Sequence, residues 1–352
     1  MSRRKKTISI GTFDLLKGLG MTGIVAGHIC RKYSVDFLPF QVYLMMFGPG
    51  LIPMFFLLSG LGGKKREIKD AWKKNAKELL FPYFLTTAVV AAVFPLCHYM
   101  AFRWWPGAMT ETLRTVSAFL TGCPRGGNTV FGFRIYECTP LWYLLALFWA
   151  ANLTNIFLKI PSAGWRNAVI CLCVLSGYLG SLVNFWYGCI PQGLMAVGFY
   201  YAGYLIKKNK LLEKNWSSWI YVVLGIVSAV ELIFGEMQYS YGIFKLGLLD
   251  YIGCGCIGIL LLRLGIWLNR FNGTISEWIR RLGRYTYWAI CVHGVEQNCI
   301  PWYLLSDSMS SYPNVGFLTE LFLRGILIVS GCLIIRRWSV FAHRKKWNQY
   351  RR

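Results

Sequence analysis

The chain has 352 residues, 55% of them hydrophobic and only 15% charged, with a mean hydropathy of +0.43, a balance that excludes an ordinary soluble domain. It nevertheless carries 38 Lys and Arg against 15 Asp and Glu, a net charge of +23. Because the basic residues sit in the gaps between apolar runs, they read as membrane orientation, and nucleic-acid binding is set aside.

Apolar runs of about 20 residues, the length that crosses a hydrocarbon core of roughly 30 Å, fall at about 12–30, 40–62, 79–102, 139–158, 167–186, 189–206, 217–235, 244–266, 283–304 and 315–336. The expected fold is therefore an all-α polytopic membrane bundle of about ten spans, a single domain over 1–352. The first run holds Asp14, Lys17 and His28, and no small-residue cleavage site follows it, so it is expected to stay as a helix. Between the third and fourth runs lies the longest polar stretch, 103–138, expected as an external lid. Cys123 and Cys138 flank a Gly-rich loop there and are placed to pair if that loop faces an oxidising compartment. Most of the other cysteines lie inside apolar runs and read as small hydrophobes. Neither a repeat nor a soluble domain appears, so function has to sit in the bundle and its loops.

Sorting the cations by side tests the ten runs. With the N-terminus inside, six segments (Arg3 to Lys6, Lys64 to Lys77, Lys159 to Arg166, Lys207 to Lys214, Arg263 to Arg284, Arg336 to Arg352) hold 29 of the 38 Lys and Arg, all on one side. That bias predicts both termini in the cytosol.

Ionisable residues inside a spanning helix cost at least roughly 2.5 to 3.5 kcal/mol each, so they normally face an interior cavity. Asp14, Lys17 and His28 are separated by 3 and 11 residues, and at about 100° per residue these steps keep them on one helical face. Lys17 and His28 stand about 16 Å apart along the axis at 1.5 Å per residue. Gly23 and Gly27 add a GxxxG spacing that allows close helix contact.

Several segments carry a resemblance in order along the chain. Phe13 to Gly20 followed by His28 resembles the opening helix of the membrane acyltransferase-3 family, whose hallmark is Arg or Lys, ten residues, then His; Lys17 and His28 fit it. Phe55-Phe56-Leu57-Leu58-Ser59-Gly60 is similar to that family's Phe-Phe-x-x-Ser-Gly, and the basic loop to Lys77 with Phe81-Pro82-Tyr83 resembles its basic run before a Pro. Leu141-Trp142-Tyr143-Leu144, Gly203-Tyr204-Leu205 and Gly283-Arg284-Tyr285-Thr286-Tyr287 through His293 continue the pattern, with Thr286 in a Ser position. Lys17 departs from the more frequent Arg, which keeps the charge and gives up the planar fork.

The resemblance implies transfer of an acyl group, usually acetyl, from acyl-CoA to a hydroxyl, often of a cell-surface carbohydrate, by a multi-pass protein of the cell membrane. Such a transfer needs a base near neutral pH, and His28 is the candidate, either as general base or as acyl carrier. Lys17 and Asp14 complete the catalytic candidates, with Asp14 paired to Lys17 or to a cation on another helix. Lys73, Lys74 and Lys77 before the third run, and Arg280, Arg281 and Arg284 before the ninth, are candidates for the donor's phosphates, placed where helix N-termini favour anions. Ser59, Trp142, Tyr143, His293 and Glu296 are the substrate-binding candidates; His293 and Glu296 lie one turn apart and either bind the acceptor or support His28. No metal is expected. The rival readings are a transporter or flippase, for which intramembrane Glu231 and Asp250 would suit coupled transport, and a family member acting as a sensor. Glu231 and Asp250 have no role in the acyltransferase scheme.

Overall fold

A computed structural model describes residues 10–33 and 38–349 of the chain, with side chains described up to 337 except at 10, 38–40, 42–44, 46 and 47. The basic stretch Arg3 to Lys6 and the last three residues lie outside the described part. The helices in chain order are α1 Ile10–Cys30, α2 Leu38–Gly62, α3 Ile68–Asn75, α4 Phe81–Phe102 and α5 Trp105–Thr121. After a hairpin of β1 Thr129–Val130 and β2 Phe133–Arg134 come α6 Trp142–Phe157, α7 Ala163–Leu182, α8 Ile190–Lys208 and α9 Ser218–Phe234. A second hairpin, β3 Met237–Gln238 and β4 Ile243–Phe244, leads to α10 Leu248–Leu268, α11 Thr274–Arg284, α12 Thr286–Cys299, α13 Tyr303–Ser308 and α14 Pro313–Gln349.

Each of the ten apolar runs is occupied by a helix, and the fold is all-α apart from the two hairpins. Pro residues open α5 and α8 at positions whose N–H has no helical acceptor. Gly122, at φ 64°, closes α5. Four helical runs among the described residues are long and apolar enough to cross a membrane: Ile68–Phe102, Ala163–Leu182, Leu248–Leu268 and Pro313–Arg337. Gly48–Gly62, Trp142–Phe157 and Ser218–Phe234 are shorter apolar helices.

Close backbone approach holds the middle of the bundle together. A Cβ on Gly60 would stand 1.9 Å from Tyr200 O, and one on Gly203 would stand 2.2 Å from Leu57 O, so α2 and α8 cross where neither can carry a side chain. The same device joins α1 to α11: Gly283 meets Asp14 O and Gly18 meets Ile279 O. Gly23 and Gly27, expected at a helix contact, instead line a cavity. The core between these crossings is built on Phe56, Tyr83, Phe119, Leu141, Phe148 and Met195.

Polar contacts tie four of the basic stretches into one end of the bundle. Lys159 Nζ donates to Glu67 Oε2 at 2.8 Å and holds that exposed carboxyl below its ordinary pKa. Lys207 reaches Gly63 O, and Arg263 donates to the carbonyls of Leu211, Leu212 and Lys214. At the opposite end, Tyr241 OH donates to Glu137 Oε2 at 2.8 Å and Asn184 Nδ2 to Asn128 Oδ1 at 3.1 Å. Burial, with Glu137 beside it, pushes the Tyr241 hydroxyl up to about 12.

In the 103–138 stretch α5 fills the first half and the β1–β2 hairpin part of the second. Two expectations are corrected here. Cys123 and Cys138 are free thiols: Cys123 Sγ donates to Arg125 O at 2.9 Å and accepts from Asn128 Nδ2 at 3.2 Å, while the two residues are linked through backbone, Cys138 N–H to Cys123 O at 2.7 Å. The ninth run, 283–304, is not one helix: it takes in the last residues of α11, all of α12 and the start of α13, interrupted at Tyr285 and again at 300–302, where Pro301 lacks an N–H.

Candidate active site

Helix α1 carries Lys17 and His28 into one central cavity of about 330 Å³, as their shared face requires. Lys17, Arg284 and Thr286 stand on its wall with Ser59 and Tyr143, whose hydroxyls share a hydrogen bond at 3.3 Å; Trp142 also lines it. Asp14 turns out of that cavity. It is buried against α11, its Oδ2 3.8 Å from Arg284 Nη1, so the cation it meets is on another helix and not Lys17.

Two further cavities adjoin this one. Towards the basic end an inner cavity of about 240 Å³ shares Ser59, Gly62, Leu79 and Leu147 with it, and is lined by Lys64, Arg66 and Lys74. Towards the opposite end an outer cavity of about 460 Å³ shares Ile24, His28, Ile52 and Trp142 with it, and is lined by Arg31, Glu231, Glu236 and Tyr239. His28 is thus on the wall of both the central and the outer space.

The helix N-termini expected to hold phosphate are not where the basic residues lie. Lys73, Lys74 and Lys77 fall inside the continuous helical run Ile68–Phe102, and Arg280, Arg281 and Arg284 occupy the last turns of α11, where cations offset the carbonyl end of the helix dipole. Of these six, only Lys74 and Arg284 line the inner or central cavity. Lys74 is paired with Glu78 at 2.7 Å. Arg280 is committed to the α10–α11 loop through Asn269, Phe271 and Asn272. Lys64 and Arg66 at the inner cavity were not singled out from the sequence; Arg66 is fixed there by Asn155, whose side chain accepts from Arg66 N at 2.9 Å and donates to Arg66 O at 3.2 Å.

Behind His28 lies a buried polar chain. The His293 ring is 5.5 Å from the His28 ring, centroid to centroid. His293 Nδ1 donates to Glu296 Oε1 at 2.5 Å, which leaves Nε2, buried and without a partner among the described residues, as the free nitrogen. Glu296 also accepts from Trp302 Nε1 at 2.7 Å and from Arg324 Nη1 at 3.2 Å. Arg324, wholly buried, continues to Glu320 at 2.6 Å, and Glu320 in turn accepts from Lys32 at 3.1 Å and Tyr33 at 3.0 Å. Two carboxylates therefore meet two cations, the condition under which buried charge is tolerated. The sequence offered two local signals for this chain, the one-turn spacing of His293 and Glu296 and the i,i+4 spacing of Glu320 and Arg324 on an apolar helix; the partners just beyond α1, Lys32 and Tyr33, carried none.

The family profile described as an acyltransferase domain matches residues 10–337. The chain belongs to the acyltransferase-3 family. No curated protein and no solved structure matches it significantly. The acyltransferase-3 motifs now have places: Ser59-Gly60 and Gly203 form the α2–α8 crossing, Gly283 the α1–α11 crossing, and Lys17, His28, Ser59, Trp142, Tyr143 and Thr286 the wall of one cavity. Membership in this family, with the long apolar helices, makes the protein a membrane acyltransferase.

Proposed function

We propose that the protein moves an acyl group, acetyl in the simplest case, from acyl-CoA to a hydroxyl of a cell-envelope carbohydrate. In this reading the chain crosses the cell membrane about ten times with both termini in the cytosol. The observation that supports it is the position of His28 on the wall shared by the central and outer cavities. The nucleotide phosphates dock at the inner mouth against Lys64, Arg66, Lys74 and Arg284, cations suited to phosphate. The pantetheine arm runs past Lys17 along the roughly 16 Å to His28, and the acceptor comes from the outer cavity with Trp142 and Tyr239 to stack on a sugar face.

At the thioester, His28 removes the acceptor's hydroxyl proton as the oxygen attacks the carbonyl, and the thiolate of CoA leaves. His293, held by Glu296, faces His28 and is a positioning residue for it; Asp14 fixes the α1–α11 contact that presents Lys17. The family assignment favours this reading over transport, which draws no support from it.

The test is transfer or slow hydrolysis of radiolabelled acetyl-CoA by purified protein in liposomes. Wild type is expected to release label, His28→Ala to lose roughly 10²- to 10⁴-fold of that rate, and Lys17→Ala to lose donor binding first. Equal rates for wild type and His28→Ala would remove His28 from the chemistry.

A further inference from the structure

Beside the basic end, on the outside of the bundle, a groove of about 530 Å³ runs between α11 and α14. Its upper wall is apolar: Val329 and Leu333 project from α14, each close to half exposed, with Trp278 of α11 opposite and more exposed still. Its lower rim carries three guanidiniums, Arg281, Arg284 and Arg336. Arg336 is the first charged residue after the uncharged run 325–335 of α14, so the rim sits where an apolar helix leaves hydrocarbon for the headgroup layer.

These cations are poorly neutralised. Arg281 is 3.8 Å from Glu277 and Arg284 is 3.8 Å from Asp14, both beyond hydrogen-bond distance, and among the described residues Arg336 has no carboxylate partner. Arg281 instead lies over the Trp278 ring at 5.4 Å and Arg336 over Tyr285 at 6.0 Å. Stacking of this kind holds a guanidinium in place while its N–H donors stay available. The short α11, with Ile275 and Trp278 exposed on one side and arginines in its last turn, has the character of a helix lying in the interface.

We propose that this groove is a binding site for an anionic phospholipid of the adjoining leaflet, its acyl chains along Val329 and Leu333 and its phosphate among Arg281, Arg284 and Arg336. Charge complementarity selects the occupant: a neutral lipid satisfies the apolar wall and leaves Arg336 without a carboxylate and Arg281 and Arg284 with only long ion pairs at 3.8 Å, whereas an anionic headgroup answers both. Arg284 also lines the central cavity, so the lipid phosphate would stand next to the inner mouth of the proposed donor path. Lipid binding itself is independent of the acyltransferase chemistry.

The test is native mass spectrometry of the full chain offered equal amounts of phosphatidylglycerol and phosphatidylcholine with the same acyl chains. Wild type is expected to retain phosphatidylglycerol on the order of tenfold better, and the double variant Arg281→Gln with Arg336→Gln to lose that preference. Arg337→Gln, the same loss of charge one residue along and outside the groove, is expected to keep it. Equal retention of the two lipids, equal loss in the Arg337 variant, displacement by inorganic phosphate, or a dimer that closes the groove without lipid would each overturn the proposal.

Discussion

Two buried acidic clusters near the far end of the bundle are built differently. Glu296 and Glu320 are bracketed by Arg324 and Lys32 and by donors from Trp302 and Tyr33, so each carboxylate has a partner. Among the described residues Glu231 and Asp250 have no cation partner. A Cβ on Gly235 would stand 2.2 Å from Glu231 Oε2 and 2.8 Å from Asp250 Oδ1, which puts those two oxygens within about 5 Å of each other, both without a hydrogen-bond donor among the described residues. Cys254 Sγ, 3.1 Å from Glu231 Oε1, and the backbone N–H of Leu246, 2.8 Å from Asp250 Oδ2, are their donors. The first cluster is a closed frame that fixes His293; the second leaves two buried acceptors without a donor, and of its two residues Glu231 lines the outer cavity. Charge balance makes the first rigid, and its absence in the second calls for a proton or a ligand.

The sharpest way to break this contrast is Arg324→Met. Removing one member of a buried charge set leaves Glu296 without its cation and Glu320 with Lys32 alone, and is expected to cost about 3–5 kcal/mol, read as a large fall in melting temperature in detergent; an unchanged Tm would show the cluster is not the frame described. Glu296→Gln keeps the shape and removes the charge that holds His293. It is expected to slow acyl transfer roughly 10- to 100-fold with the KM for acyl-CoA unchanged, from about 1.5–3 kcal/mol for a hydrogen bond to a charged group. A rate equal to wild type would detach His293 from His28.

The second cluster is expected to answer the same chemistry oppositely. Glu231→Gln supplies an N–H donor towards Asp250, so Tm should stay level or rise; a loss as large as that of Arg324→Met would erase the distinction between the clusters. At the far end, Cys123 is buried and its thiol is pushed up to about 11 by that burial, so it should resist maleimide at pH 7 in the folded protein and react after denaturation. Fast labelling of Cys123 in the native state would contradict its burial. The smallest effect belongs to Glu67 at the basic end. Its lowered pKa means that the Lys159 contact contributes above the ordinary carboxyl value of 4.5 and fades as pH falls through the folded value below that. The Tm difference between wild type and Glu67→Gln should therefore shrink on acidification, and growth instead would reverse the sign assigned here.

Helix positions were legible because apolar runs of membrane length must hydrogen-bond their own backbone, and a helix does so locally. Lys17 and His28 were legible for the same local reason: an 11-residue step returns to one face, and the fold turns that face into a cavity. Asp14 obeyed the same periodicity and still left the cavity, since Gly283 brings α11 so close to it that Arg284 is the nearer cation. The donor cations were misplaced by a boundary: the α3 helix runs on into α4 through a π turn, and α11 ends where a single longer helix was expected to begin. Such boundaries depend on neighbouring helices more than on the residues themselves.

The sequence alone determined the class of fold, the helix segments, the family and the pair Lys17–His28, because each rests on composition or on spacing within one helix. Tertiary structure decided which of the many cations reach a cavity, that Gly60 and Gly203 are partners, and that Arg324 closes a chain from α12 through α14 to Lys32. Those facts join residues up to 288 positions apart. Nothing in local spacing encodes a contact of that range; it exists only once the helices have packed.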